Sequence, residues 1–252
     1  MGCKAMIHIF TSVVNRPDFV KLQQQLFNKF LKNEYKFHVV DDSVDERISN
    51  EFKWVCKSNE VEYYRKPPAN KPMNPAQACA HTVQWTYDNL IRKNHSEDIV
   101  LFLDSDMFLI DEFDIKEYMS DAAIGGLPQQ RGHVTYMWNG IMFFNMPYIE
   151  DKDIDFSDGV VDGEMTDVGG HTYWYFKNSG VVMKESDVDY PTHYYDIDLQ
   201  KESGGYNMEL HLDGNFLHYR AATNWHANWK GSDDPLQKKT MVFKEMMDRI
   251  LQ

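Results

Sequence analysis

The chain has 252 residues, 42% hydrophobic and 14% aromatic, which is ample for one large core and excludes a disordered protein. A formal charge of −13 argues against a nucleic-acid-binding or anionic-membrane surface, because both require clustered Lys and Arg. Cys3, Cys56 and Cys79 are odd in number and lack metal-ligand spacing, so reduced thiols and a cytoplasmic location are expected, with neither a spanning apolar run nor a signal-peptide core in view.

In chain order, Met6 to Phe10 reads as a short apolar strand, followed by a polar turn from Thr11 to Arg16 and a helix from Pro17, whose fixed φ suits a first turn. Phe19, Leu22, Leu26, Phe27 and Phe30 give that helix one apolar face. Tyr35 to Val40 reads as a second strand that stops at Asp41-Asp42. A helix from about Asp45 to Ser58 and a strand from Val61 to Tyr64 continue the alternation, and Lys66 to Pro72 can only be a loop. Asn74 is placed to cap, and Pro75 to open, a helix carrying Ala78, Val83, Trp85, Leu90 and Ile91. Ile99 to Leu103, five apolar residues in a row, then fits a central parallel strand covered on both faces. Strand and helix thus alternate as in a doubly wound, mostly parallel sheet with right-handed crossovers.

Past Asp106 the pattern changes to Met107 to Ile110, a short helix near Glu112 to Met119, and strand-like runs from Ala122 to Leu127 and Val134 to Asn145, so a mixed sheet is expected there. Residues 150 to 205 lack periodicity, as a binding surface or lid does. A strand is expected over Met208 to His218, then an aromatic segment from Tyr219 to Trp229. Pro235 opens a last helix with Leu236, Phe243, Met246, Met247 and Ile250 on one stripe.

The chemistry points to Asp104-Ser105-Asp106, where the apolar strand ends. Ligands of open α/β sheets bind beyond the carboxyl ends of the strands. Side chains two apart point the same way in an extended segment, so both carboxylates are placed to hold one hard divalent cation beside a phosphate-bearing ligand. Two carboxylates seldom suffice, and His218, closing Asn215 to Tyr219, is the candidate third protein ligand. An imidazole would lean the choice toward Mn²⁺ over Mg²⁺. Arg220, Asn224-Trp225-His226 and Asn228-Trp229-Lys230 add donors and flat rings suited to a diphosphate and a sugar.

Together with Trp138-Asn139-Gly140 to Phe144 and the alternating N-terminal strands, these residues resemble a glycosyltransferase of the GT-A type. With Phe10 to Pro17 at the front, the run is most similar to small enzymes that glycosylate the capsids of large algal viruses. The resemblance implies one Rossmann-like GT-A domain over residues 1–252: a nucleotide-binding half to residue 106, a sugar and acceptor half over 107–231, and a helix over 232–252. It implies a nucleotide-sugar donor, most often a UDP-sugar, a glycan acceptor, and Mn²⁺ or Mg²⁺ on Asp104, Asp106 and His218. Thr11, Ser12, Val13, Arg16, Asp41, Asp42, Asn74, Ser105 and Lys230 fall to the nucleotide and its diphosphate, and Trp138, Asn139 and Trp225 to the sugars. The C-terminal segment lacks the His-x-x-Gly-x-x-Lys-Pro-Trp pattern of glycogenin-like retaining members. An inverting enzyme needs a carboxylate to deprotonate the acceptor, and Asp167 is the expected base, ahead of Asp162 and Glu164. Two other readings use the same residues: a phosphatase of the haloacid dehalogenase type, whose acidic pair normally follows the first strand, and a metal-dependent sugar or nucleotide binder without turnover.

Overall fold

β1 (Ile7–Val13) is paired along its length on both sides, so polar side chains do not end it at Phe10. Thr11 faces Val39 and Leu103, and Ser12 faces Val40 and Asp104; the expected loop therefore begins only at Val14. Two ladders of backbone hydrogen bonds outweigh the poor strand preference of a Thr-Ser pair. The computed structural model describes residues 5–70, 73–150, 152–194, 196–199, 208–220, 222 and 235–252.

After β1 come α1 (Pro17–Phe30), β2 (Tyr35–Asp41), α2 (Glu46–Ser58), β3 (Glu62–Arg65) and α3 (Pro75–Thr86). Asp45 caps α2, its carboxylate accepting from the Arg47 amide. Asn74 and Gln77 form a reciprocal capping box behind Pro75. α3 runs on through a π-turn over Tyr87–Ile91 to Asn94. β4 (Ile99–Asp104) and β5 (Met107–Leu109) flank the turn that holds Ser105 and Asp106. α4 (Ile115–Met119) is capped by Asp114, and β6 (Ile124–Arg131) and β7 (Val134–Asn145) form a long hairpin. The residues past 150 hold β8 (Gly159–Val161), β9 (Glu164–Thr166), α5 (Thr172–Ser179), β10 (Met183–Glu185), β11 (Val188–Asp189), β12 (His193–Tyr194) and β13 (Ile197–Asp198). β14 (Glu209–His211), β15 (Phe216–His218) and α6 (Pro235–Leu251) complete the described elements.

Two expectations are corrected here. Residues 208 to 218 form a hairpin rather than one strand, turning at Leu212, Asp213 and Gly214, all with positive φ. The stretch after residue 150 likewise contains a hairpin, turned by Asp162 and Gly163 with φ of 48° and 87°, and a helix. Asp-Gly signals both turns in the sequence.

The chain divides into two interleaved units. One comprises Met1–Lys21, Lys32–Ser105 and Asp114–Ser186. It is built on a seven-stranded sheet in the order β10-β6-β7-β4-β1-β2-β3, parallel except that β7 runs against both its neighbours. This is the expected α/β architecture with a mostly parallel half and a mixed half. Phe10, Val40, Val100, Phe102 and Phe144 pack with Val83, Tyr87, Leu90 and Ile91 of the helical segment. Each fully buried Phe there adds about 2 kcal/mol.

The second unit comprises Leu22–Leu31, Asp106–Phe113 and Asp187–Gln252. Its sheet is antiparallel throughout, in the order β11-β14-β15-β5. Phe243 of α6 stacks on Tyr219 with ring centroids 4.4 Å apart and also meets Phe108 of β5. Met246, Met247 and Ile250 are buried beside it, as the apolar stripe predicts.

Candidate functional site

Antiparallel pairing of β14 with β15 sets Glu209 directly opposite His218. His218 Nδ1 lies 2.7 Å from Glu209 Oε2. His211, two residues along β14 from Glu209 and so on the same face, brings its Nε2 to 3.6 Å from the same oxygen, and Arg220 reaches Oε1 at 3.3 Å. Burial works to raise the Glu209 carboxyl, but the neighbouring His211, the hydrogen bond from His218 and the charges of His218 and Arg220 outweigh it. Glu209 is therefore held well below the usual carboxylate range.

With Nδ1 engaged, the remaining nitrogen of His218, Nε2, faces Asp106 Oδ1 at 3.7 Å. That is too long for a hydrogen bond. It lies between the spacings of about 3.0 Å and about 4.2 Å that adjacent and opposite ligands take around an ion at about 2.1 Å. A carboxylate behind a histidine whose other nitrogen faces a second carboxylate is the arrangement of a metal-ligating histidine. Asp106 is itself fixed: its Oδ2 accepts from the Ala222 amide at 3.1 Å, and its carbonyl from the Tyr219 amide at 2.8 Å. The residues present thus fit a divalent ion on an Asp and a His.

Asp104 ends β4, the central strand of the other unit, two residues before Asp106 in the chain. Asn139 Nδ2 donates to Asp104 Oδ1 at 3.5 Å and lies 3.4 Å from Cys79 Sγ. β7 runs unbroken through Asn139-Gly140, so this pair makes no turn. Trp138 folds its indole across Gly140, where a Cβ would come within 2.1 Å of the ring. The loop holding Asp167 is tied to the same stretch of β7. The Asp167 amide donates to the Tyr136 hydroxyl at 3.2 Å, and the Met137 amide donates to Thr172 Oγ1 at 2.9 Å. Gly169, at φ +88°, passes so close that a Cβ would stand 2.2 Å from the Met137 carbonyl. Asp167 itself is exposed, one oxygen accepting from the Val168 amide.

At the carboxyl end of β2 the two aspartates differ. Asp41 is fully buried and accepts from the Ser43 amide and hydroxyl, Ser49 and Tyr63, with Arg65 at 2.9 Å. Burial alone would raise its carboxyl, but those hydrogen bonds bring it below its ordinary value. Asp41 is thus committed within the fold. Asp42 accepts from Thr82 at 2.7 Å and pairs with the buried Lys66 at 2.8 Å, which also lies 3.2 Å from His81 Nδ1. Burial, and then the Lys66 charge, lower the His81 imidazole.

Of the remaining expected site residues, Thr11, Val13 and Ser105 are buried and Ser12 is half-buried. Arg16 adopts φ 65°, lies over the Phe19 ring at 3.7 Å and donates to both oxygens of Asp18. Asn74 accepts from the Gln77 amide at the start of α3. Lys230 and Trp225 lie outside the described residues. Sequence reasoning missed Glu209, His211 and Lys66. Glu209-Leu-His211 alternates polar and apolar as a half-buried strand does, and that signal was there to be read.

No family model and no curated protein matches the sequence. The structure is similar to an active-site mutant of LgtC, at 14% identity over 94% of this chain and 95% of that one, with a TM-score of 0.48. It is also similar to the mannosyltransferase PcManGT from Pyrobaculum calidifontis in complex with GDP-Man and Mn²⁺ (8% identity, 73% of this chain and 55% of that one, TM-score 0.45). The mannosyltransferase Ktr4p from S. cerevisiae is another (12%, 59% and 58%, TM-score 0.40). The chain thus spans little more than half of the two mannosyltransferase structures. With TM-scores below 0.5, none of these likenesses bears on the reading of the site.

Proposed function

We propose that the protein is a GT-A-like glycosyltransferase that moves a sugar from a nucleotide-sugar donor, a UDP-sugar, to a glycan acceptor. The observation that carries this reading is the Glu209-His218-Asp106 alignment, which supplies a metal-ready imidazole and carboxylate, Asp106 following the strand-ending Asp104 by two residues in the chain. Asp104, Asp106 and His218 would hold Mn²⁺. Bound there, the ion would offset the negative charge that develops on the diphosphate as the glycosidic bond breaks.

The rest of the work belongs to this chain's own groups. The nucleoside lies beyond the carboxyl ends of β1 and β2, bounded by Thr11, Ser12, Val13 and Arg16, with Asp42 and Lys66 as its polar partners. Asp41, engaged by five donor groups, positions that loop instead of touching the ligand. Asn139 orients Asp104, and Trp138 offers a flat face to a sugar. Asp167 takes the proton of the acceptor hydroxyl, its loop held against β7 by Tyr136 and Thr172. The acceptor is a protein-linked glycan, as on the viral capsids that the sequence resemblance suggests, and the enzyme works in the cytoplasm.

The test is nucleoside diphosphate release from a panel of UDP-, GDP- and CMP-sugars, with and without Mn²⁺. One UDP-sugar is expected to turn over only with the ion, and His218→Ala to slow it by about a hundredfold. Turnover that ignores the ion and the substitution would overturn the reading.

A further inference from the structure

Three histidines converge at the far end of the same sheet from Asp104. His8 lies on β1 four residues before Ser12, the residue paired with Asp104, which is about 13 Å along the strand. In the parallel register of β1 and β2, Phe10 sits beside His38, so His8 and His38 share a face, one step of the pleat apart. His95, just past the end of the helical segment that follows α3, closes over them, its ring centroid 3.8 Å from that of His8. One ring nitrogen from each of the three lies within 4.8 Å of the others. The closest pair, His8 Nδ1 and His38 Nε2, is 2.9 Å apart.

The outward nitrogens complete the pattern. His8 Nε2 lies 3.2 Å and His95 Nδ1 3.5 Å from Asp98 Oδ2. His38 Nδ1 lies 3.2 Å from Glu62 Oε2, off the hydrogen-bond direction. Every ring therefore turns one nitrogen to a carboxylate and leaves the other facing the middle of the cluster, as metal-ligating histidines do. A single hydrogen bond between His8 and His38 accounts for two of the inward nitrogens and leaves the third, on a half-buried ring, without a role. Burial lowers all three imidazoles.

We propose that His8, His38 and His95 form a Zn²⁺ site, backed by Asp98 and Glu62, that clamps β1, β2 and the loop before β4 at the end of the sheet opposite Asp104. Three imidazoles select Zn²⁺ over Mg²⁺ or Mn²⁺, which prefer oxygen donors. Zn–N bonds of about 2.0 Å set neighbouring nitrogens about 3.3 Å apart, so His8 and His38 need to part by only a few tenths of an ångström. Solvent supplies the fourth ligand past half-buried His95. This site is independent of any sugar transfer.

The experiment uses the full chain carrying His211→Gln and His218→Gln, which removes the other imidazole cluster, after stripping with a chelator. Calorimetric titration with Zn²⁺ is expected to show one tight equivalent and a rise in melting temperature by mass action, both lost when His38→Gln and His95→Gln are added. Tight binding that survives those two substitutions, or its absence before they are made, would overturn the proposal. Should the quadruple variant misfold, X-ray absorption of the one-equivalent Zn²⁺ complex decides. A shell with three imidazole nitrogens supports the site, and one with fewer refutes it.

Discussion

Glu209 and His218 face one another across β14 and β15, and the 2.7 Å contact between Oε2 and Nδ1 leaves Nε2 of the ring directed at Asp106. The orientation of the imidazole is thus set by a residue of the facing strand. Glu209→Gln is expected to weaken Mn²⁺ binding by 10- to 100-fold, about what other partners of ligating histidines contribute, while the fold persists. Mn²⁺ titration followed by electron paramagnetic resonance checks it, and an unchanged affinity would remove Glu209 from the site.

Asp41 makes an acid-dependent prediction. Its carboxyl is depressed in the folded chain, so the stability it contributes is fully present above its ordinary value of 3.8 and is lost as the pH falls through the folded-state value. Asp41→Asn should cost about 3 kcal/mol near neutral pH, because the buried donors and Arg65 lose their anion. Urea unfolding should show that gap holding steady down to about pH 4 and closing below it. A gap that stays constant into stronger acid would contradict the assignment.

Two glycines separate backbone strain from contact. Gly163, at φ +87°, has nothing within 4 Å of a would-be Cβ, whereas Gly169, at φ +88°, would place it 2.2 Å from the Met137 carbonyl. Gly163→Ala should cost only the conformational strain, about 1 kcal/mol. Gly169→Ala should cost several times more, and it should also lower turnover, because the loop carrying Asp167 must leave β7. Equal losses from the two, measured by thermal unfolding, would show that the loop is not held there.

Asn139→Ala removes the amide that reaches Asp104 from β7. Stability should change by about 1 kcal/mol, the usual net worth of one hydrogen bond. Turnover should fall by about tenfold or more, with Mn²⁺ affinity less affected than by Glu209→Gln. Steady-state kinetics alongside the metal titration distinguishes the two effects.

How far the sequence reveals this arrangement depends on how local each signal is. The run from Ile99 to Leu103 declares a strand buried on both faces, and Asn74-Pro75 and Pro235 declare helix starts, because each cause lies within a few residues of its effect. β1 runs past Thr11 because β2 and β4 pair with it on either side, a long-range cause that no local pattern carries. Glu209 is hidden for a related reason. Reading residues 208 to 218 as one strand puts Glu209 and His218 at opposite ends, whereas the Asp213-Gly214 turn folds them face to face. Lys66 sits in a proline-rich loop that reads as solvent-exposed, and only the positions of Asp42 and His81 reveal why it is buried.

The central claim, that Asp104 and Asp106 hold the ion on which the donor's diphosphate rests, is tested most directly by calorimetry of UDP binding with and without Mn²⁺. The unaltered chain should bind UDP only with Mn²⁺ present, and an Asp104→Ala, Asp106→Ala variant that still folds should not bind it at all. UDP binding of unchanged affinity without the ion, or in that variant, would contradict the claim.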